Sequence, residues 1–197
     1  MTQAKSFHHG DLKRTLFDVA VTLLDQHGAG GVTIRAVARA ASVSHSAPVN
    51  HYKNRRALLT AIAKRQFELI SDKINKSLSH TANDPRQRIE VIAQTLMDYG
   101  FEYPHRYQLL WRSDLINHED DELLKVMDAV YKQLCAAIEL AVPNAKFDIH
   151  TIAVALWSMV HGYVDMRHSG MFVPMNDEET NTPRSDSIIK FFLSNLK

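Results

Sequence analysis

The chain has 197 residues, of which 45% are hydrophobic and 23% charged, a composition typical of a globular protein with a buried core. It contains no run of about 18 apolar residues and its first residues lack the apolar centre of a secretory signal, so we expect a cytoplasmic protein that does not enter a membrane. The single cysteine, Cys135, excludes an internal disulfide and agrees with a reducing compartment.

The net charge of +1 conceals two regions of opposite sign. Residues 1–65 contain ten Lys or Arg and three acidic residues, whereas the remainder contains thirteen basic and nineteen acidic residues. A basic region joined to an acidic one predicts that the N-terminal part binds a polyanion. Nucleic acid is the first candidate.

Apolar residues recur at a helical period along the basic region. They predict an amphipathic helix over 11–27 and a second, short helix that Thr33 caps at its N-terminus. Ser44 is a natural N-cap for a third short helix. A fourth, long helix is predicted over 54–78.

Beyond the connection that ends at Pro85, every strong signal is helical, and we find no strand-like alternation. The predicted helices cover 89–101, 107–111, 119–142, 149–166 and 187–196. The helix over 149–166 is apolar nearly all round, so its own domain or another subunit must cover every side. We therefore predict an all-α fold of about nine helices, in which an N-terminal three-helix domain (8–68) is joined by a long helix to a C-terminal helical bundle (69–197).

The second and third predicted helices have the outline of a helix-turn-helix, in which two short helices flank a break of a few residues. Small residues at the break let the two helices pack closely. The side chains that can then reach base edges or phosphates are Ser44, His45, Ser46 and Asn50.

The stretch "GVTIRAVARAASVSHSAPVNHYKNRRALLTAI" closely resembles the DNA-binding domain of the tetracycline-repressor (TetR) family, over residues 8 to about 68. Residues that match the family pattern are Thr33, Arg35, Ala38, Ala41, Val43, Ser44, His51, Leu58 and Leu59. Ser42 stands where the family usually has a turn glycine. Val49 stands where it usually has a tyrosine on the DNA backbone, so that contact is not carried over. The elements "FHHGDL", "SHSAP" and "WSMVHG" resemble one branch, which has a Trp-x-x-x-His-Gly element in its C-terminal domain.

The resemblance and the basic charge together imply contact with double-stranded DNA. The predicted DNA-binding residues are Thr33, Arg35, Ser44, His45, Ser46, Asn50, His51, Lys53 and Arg55. Among them, His45 and Ser46 are expected at base edges and Lys53 and Arg55 at phosphates, while Tyr52 is expected in the core. A solvated basic face with no DNA contact is the alternative interpretation of the charges.

Aromatic residues gather where members of the family place an effector cavity. The candidate lining residues are Tyr103, Tyr107, Trp111, Trp157 and His161, for an apolar or aromatic small molecule. The alternative is that they are core or dimer contacts. Gly162, which weakens a helix, suggests the close approach of another helix.

We predict no metal and no cofactor, because no Cys or carboxylate cluster at ligand spacing accompanies His8-His9.

The leading hypothesis is a homodimeric transcriptional regulator, a repressor that binds a near-palindromic operator and that a small-molecule effector releases. One alternative is a hydrolase-like enzyme that uses His161 or Cys135, and another is a non-specific DNA-binding protein. The enzyme alternative lacks a nucleophile elbow, a phosphate loop and a zinc pattern, and it gives the basic region no role. We therefore do not expect an enzyme.

Overall fold

A computed structural model describes residues 9–81 and 84–196. In these ranges the chain forms eight α-helices and one turn of 3-10 helix, and the only strand-like pairing is an isolated bridge between Asn176 and Pro183. The all-α fold class is therefore confirmed. None of the helices in the described ranges is long and apolar enough to cross a membrane.

Several of the helices begin after a residue whose side chain caps them. In chain order they are α1 His9–Gly31, α2 Ile34–Ala40, the 3-10 turn Pro48–Asn50, α3 Arg55–Leu78, α4 Pro85–Glu102, α5 Pro104–Leu110, α6 Asp121–Ala141, α7 Ile149–His168 and α8 Arg184–Asn195. The side chains of Thr33, Asp84 and Asp148 each accept a hydrogen bond from a backbone N–H in the first turn of the helix that follows.

The prediction of a third α-helix was wrong. Residues 45–47 form a turn, and only Pro48–Asn50 is helical, with 3-10 geometry. Because Pro48 has no N–H, the α-helical ladder lacks a bond at this point, and the N–H of Ala47 donates to the carbonyl oxygen of Ser44 at 3.0 Å instead. Pro48 is therefore the first residue of the 3-10 turn, a position that tolerates proline.

The chain divides into two compact units. The first contains the described residues up to Gln66 together with His105–Leu123, and the second contains Phe67–Pro104 and the residues from Leu124 onward. The N-terminal unit thus includes a segment that comes much later in the sequence, which no local pattern indicated. The functional division at residue 68 stays a prediction.

In the first unit, α2 packs against α1, and the 3-10 turn packs against α2. Its aliphatic core includes Leu16, Leu24, Val37, Leu58, Ile62, Leu109 and Ile116. Gly28 interrupts α1 with a φ of 65°, a left-handed conformation that favours glycine. A Cβ atom at Gly28 would lie 3.4 Å from the ring of His105, an ordinary van der Waals distance, so the backbone conformation and not a lack of space favours glycine here.

The turn after α2 holds Ser42 in the left-handed region, with a φ of 54°. An L-residue is disfavoured there by about 1–2 kcal/mol, whereas glycine adopts this conformation readily. Part of that difference is offset because glycine loses more conformational entropy on folding.

We therefore expect Ser42→Gly to increase the free energy of unfolding by about 1 kcal/mol, which corresponds to a rise in Tm of about 2–4 °C for a chain of this size. Thermal unfolding followed by circular dichroism measures this shift. An unchanged or lower Tm would show that the serine is not strained in this turn.

In the second unit, α7 and α8 both pack against α4. The guanidinium of Arg86 donates to the carbonyl oxygens of Leu193 at 2.6 Å and Leu196 at 2.7 Å, and so satisfies the C-terminal end of α8. The buried face of α7 comprises Ile152, Ala153, Leu156, Val160 and Val164.

The opposite side of α7 is exposed within the described chain. Its exposed residues, which we call the α7 outer face, include Val154, Ala155, Ser158, Gly162 and Met166. A Cβ atom at Gly162 would meet no neighbouring group of the described residues within 4 Å, so the close approach predicted there does not occur among them. The described part of the chain therefore covers only one side of this apolar helix.

Candidate nucleic-acid interface

Residues 44–52, which we call the recognition segment, have one side in the core and one in solvent. Pro48 and Tyr52 are buried, which confirms the predicted core position of Tyr52. The Tyr52 hydroxyl donates to the carbonyl oxygen of Lys13 at 3.5 Å. Burial raises the pKa of Tyr52 above its ordinary value, and the carboxylate of Asp18 adds to the shift.

The recognition segment also has side chains that are exposed to solvent. Besides Ser44, they are His45, Ser46, Val49 and Asn50, which we call the recognition face. The N–H of Val49 donates to the carbonyl oxygen of Ser46 at 3.2 Å, which places Val49 one 3-10-type turn after Ser46. The recognition face thus contains three polar side chains and one apolar side chain.

Three of the predicted DNA-binding hydroxyls also have contacts within the chain. Thr33 Oγ1 accepts from the N–H of Ala36 at 3.1 Å, and the hydroxyl oxygens of Ser44 and Ser46 lie 3.2 Å apart. A hydroxyl offers one donor and two acceptor sites, so each retains capacity for a further partner. Their local roles are to cap α2 and to order the turn that precedes the 3-10 helix.

Two predicted cations flank the recognition segment and have exposed side chains. Arg35 lies on α2, and Lys53 lies between the segment and α3. His51, between Pro48 and Tyr52, is half-buried. Exposed Lys and Arg side chains beside a helix-turn-helix are suited to phosphate contacts.

Arg55 has a different environment from the one its sequence position suggests. Its Nε donates to the carbonyl oxygen of Val32 and its Nη2 to the carbonyl oxygen of Ala29, both at 2.6 Å. Hydrogen bonds from a charged donor are stronger than those between neutral groups. The guanidinium therefore holds the start of α3 against the connection between α1 and α2, and this geometry argues against the predicted phosphate contact.

The segment 105–123 is attached to α1 and α3 within the first unit by side-chain contacts. They include Arg56 Nη2 to the Ile116 carbonyl oxygen (2.9 Å), Asn117 N–H to Thr60 Oγ1 (2.9 Å), Arg106 Nη2 to Asp25 Oδ2 (2.6 Å) and Lys64 Nζ to Glu122 Oε2 (3.2 Å). The partners are at least 57 positions apart in the sequence. Part of the basic cluster, including Arg56, therefore serves the fold of this unit.

Lys13 is a candidate interface residue that sequence reasoning missed. Its exposed side chain extends over the ring of Tyr52, with Nζ 5.9 Å from the ring centroid. The helix α1 thus places an exposed ammonium group beside the recognition segment. The only sequence signal was membership of the basic region, because the two residues are 39 positions apart.

A polar cleft of about 580 Å³ lies in the first unit, between the start of α3 and residues 117–122. Its charged lining residues are Lys53, Arg56, Lys64, Asp120 and Glu122. None of the five predicted effector residues lines this cleft, so its charged walls do not match the expected aromatic pocket.

The five predicted effector residues are divided between the two units. Tyr107 and Trp111 belong to the first unit, where their ring centroids lie 5.8 Å apart in an edge-to-face arrangement. Tyr103, Trp157 and His161 belong to the second. Burial lowers the pKa of His161 below its ordinary value, and the carboxylate of Asp165 opposes this shift. A ligand pocket that uses these residues stays a prediction.

The described residues contain no group of three or more His, Cys, Asp or Glu side chains placed to hold a metal ion. His8 and the side chain of His9, which the sequence raised as metal candidates, lie outside what the structure describes. The predicted absence of a metal is therefore not tested at that point.

Two family models match the chain. Residues 16–62 match bacterial regulatory proteins of the tetR family, and residues 89–185 match the tetracyclin repressor-like C-terminal domain. The two matches together cover more than two thirds of the chain and describe the same family. The chain belongs to the TetR family. The N-terminal match includes α2, the recognition segment and the start of α3, so the protein is a DNA-binding transcriptional regulator of this family.

Individual relatives and solved structures are similar to the chain over most of its length. A helix-turn-helix transcriptional regulator of Mycobacterium tuberculosis is 22% identical over 178 residues, which are 90% of this chain and 78% of that protein. A solved structure from Rhodococcus sp. RHA1 has a TM-score of 0.77 at 21% identity and covers 98% of this chain and 97% of its own. A TetR family transcriptional regulator from Thermus thermophilus has a TM-score of 0.65 at 13% identity, with coverages of 92% and 96%. These structures share the fold, and the Trp-x-x-x-His-Gly branch stays a prediction.

Proposed function

We propose that the protein is a cytoplasmic, homodimeric transcriptional repressor that binds a near-palindromic operator and leaves it when a small apolar or aromatic effector binds. The observation that carries this proposal is the recognition face, where the side chains of His45, Ser46 and Asn50 are all exposed within one short stretch of the chain. Imidazole, hydroxyl and amide groups form hydrogen bonds with base edges, and the flanking Arg35 and Lys53 supply cations for phosphates.

The α7 outer face supports dimerisation. An apolar stripe on a helix of a globular protein needs a cover, and the chain leaves this one exposed. Ala155, Ser158 and Gly162 are small, so a helix of a second copy can approach closely. Phe191 on α8, which is 71% exposed, supplies a further apolar group. Two copies related by a two-fold axis present two recognition segments to half-sites about one helical turn, roughly 34–36 Å, apart or somewhat more.

Release by an effector requires a ligand that prefers the conformation with the lower operator affinity. Such a ligand lowers DNA affinity by the same factor by which DNA lowers ligand affinity. The candidate contacts remain Tyr103, Tyr107, Trp111, Trp157 and His161, and their aromatic character favours an apolar or aromatic molecule.

Sequencing the genomic fragments that the purified protein retains in the presence of excess competitor DNA tests the operator proposal. We expect a small set of fragments that share an inverted repeat. Retention without enrichment of any sequence would instead indicate non-specific DNA binding and would contradict the proposal. If the competitor DNA displaces every genomic fragment, the proposal of a specific operator is likewise contradicted.

Lys53→Ala is expected to weaken binding to every DNA sequence and to flatten its salt dependence. Removing one phosphate contact lowers the slope of log K against log salt concentration by about 0.9 per protomer, since fewer counterions are released. The slope is measured by titrating operator DNA over a range of salt concentrations.

The matched control for this experiment is Lys190→Ala, which removes an exposed lysine from α8 in the second unit. We expect the slope of this variant to equal that of the unmodified protein. An unchanged slope for Lys53→Ala would exclude a phosphate contact at this position.

A further inference from the structure

The recognition face contains one hydrophobic side chain, Val49, which is 49% exposed. The other exposed large hydrophobic residues in the described ranges begin at Leu124 and belong to the second unit. Within the described part of the first unit, Val49 is therefore the only large hydrophobic side chain left exposed.

A single exposed hydrophobic residue ordinarily needs no explanation. Val49 differs because of its position, directly among the polar groups that are proposed to contact DNA. The buried side of the same segment is provided by Pro48 and Tyr52, so Val49 is not part of that core. The geometry thus presents an apolar group to whatever the recognition face binds.

The chemistry of a valine limits what it can recognise there. It has no donor, acceptor or charge, so it cannot make the phosphate contact of a tyrosine or a hydrogen bond to a base edge. The apolar group that the major groove offers is the C5-methyl group of thymine. Because its side chain is β-branched and stiff, valine loses little rotamer freedom when it is buried against such a group.

We propose that Val49 contacts a pyrimidine 5-methyl group in each operator half-site and thereby selects thymine at that position. The inference rests on the proposed function, because it requires a sequence-specific complex in the major groove. It assigns Val49 a role in specificity, whereas Arg35 and Lys53 contribute mainly to affinity.

The experiment begins with selection of binding sites from a random duplex library by the unmodified protein. Each thymine of the selected half-site is then replaced singly by deoxyuridine, which removes only the C5-methyl group, and the Kd is measured. Loss of one methyl contact is expected to raise the Kd about fourfold per half-site, from the usual value for burying one methyl-sized group. In Val49→Ala the same deoxyuridine substitution is expected to have a clearly smaller effect, because alanine keeps only one methyl group, which lies farther from the base.

A second set of duplexes tests whether the methyl group alone is recognised. Cytosine at the sensitive position should bind more weakly than thymine, and 5-methylcytosine should recover about fourfold relative to cytosine in the unmodified protein only. The matched control is Val173→Ala, which truncates an exposed valine in the second unit and should retain sensitivity to deoxyuridine. Val49→Ala should fold normally, because the side chain lies outside the core, and thermal unfolding checks this.

Retention of the same deoxyuridine profile in Val49→Ala, with a selected site still bound, would overturn the inference and leave the proposed function intact. A selected site at which no thymine methyl group affects the Kd of the unmodified protein would also overturn the inference alone. Failure to select any sequence would overturn both the inference and the proposed function.

Discussion

Arg55→Ala is expected to lower the free energy of unfolding by about 2–4 kcal/mol, because two charged hydrogen bonds to backbone carbonyl oxygens are lost together. The connection between α1 and α2 then loses its tie to the start of α3, and operator affinity should fall with it. The salt dependence of binding by the molecules that remain folded should not change, since the guanidinium is engaged by Val32 and Ala29. Chemical denaturation measures the first effect and operator titrations over a range of salt concentrations measure the second.

Arg55→Lys separates the structural role from a phosphate contact. A lysine keeps the positive charge but has a single ammonium group, which cannot reproduce the two donors of the guanidinium fork. If Arg55 is a positioning residue, this variant is also destabilised, while a phosphate contact would survive the substitution largely intact. Normal stability of Arg55→Ala together with a salt slope reduced by about 0.9 per protomer would restore the phosphate assignment.

The helices were largely predictable because their signals are local. Apolar periodicity located α3, α4, α6 and α7, and the cap residue Thr33 indicated where α2 begins. The family resemblance further indicated where the recognition face would lie.

The recognition segment shows where local rules compete. Ser44 has the properties of an N-cap, and the following residues are compatible with a helix, but the missing N–H of Pro48 interrupts the ladder. The result is a turn and a 3-10 helix in which the side chains of His45 and Asn50 are both exposed. The predicted helix type was wrong, and the DNA contacts expected of these side chains stay a prediction.

The roles of the arginines could not be predicted, because they depend on contacts between distant parts of the chain. Arg55 contacts carbonyl oxygens 23 and 26 residues earlier, and Arg56 contacts one 60 residues later. In a linear pattern both belong to one basic cluster beside Lys53, and only the fold distinguishes the arginines that donate to backbone carbonyl oxygens from the exposed lysine. The association of 105–123 with the first unit could not be predicted from the sequence for the same reason.

Gly162→Glu is expected to convert the protein to a monomer and to weaken operator binding by at least about 100-fold, because the advantage of two linked half-site contacts is lost. The α7 outer face accepts the substitution within one chain, since a Cβ atom at Gly162 meets nothing within 4 Å. Replacing glycine in a helix by a better helix former even favours the helix by about 0.5–1 kcal/mol. Light scattering measures the molar mass, and operator titration measures the affinity.

The matched control is Ala136→Glu, which adds the same charge to an exposed position on α6 and should leave both mass and affinity unchanged. Circular dichroism should show that both variants keep their helices, so that a loss of binding by Gly162→Glu cannot be attributed to unfolding. Two glutamates brought face to face by a two-fold axis repel each other and also prevent close helix approach, which makes this position more sensitive than the rest of the surface. A Gly162→Glu protein that remains a dimer and binds the operator normally would place the subunit interface elsewhere.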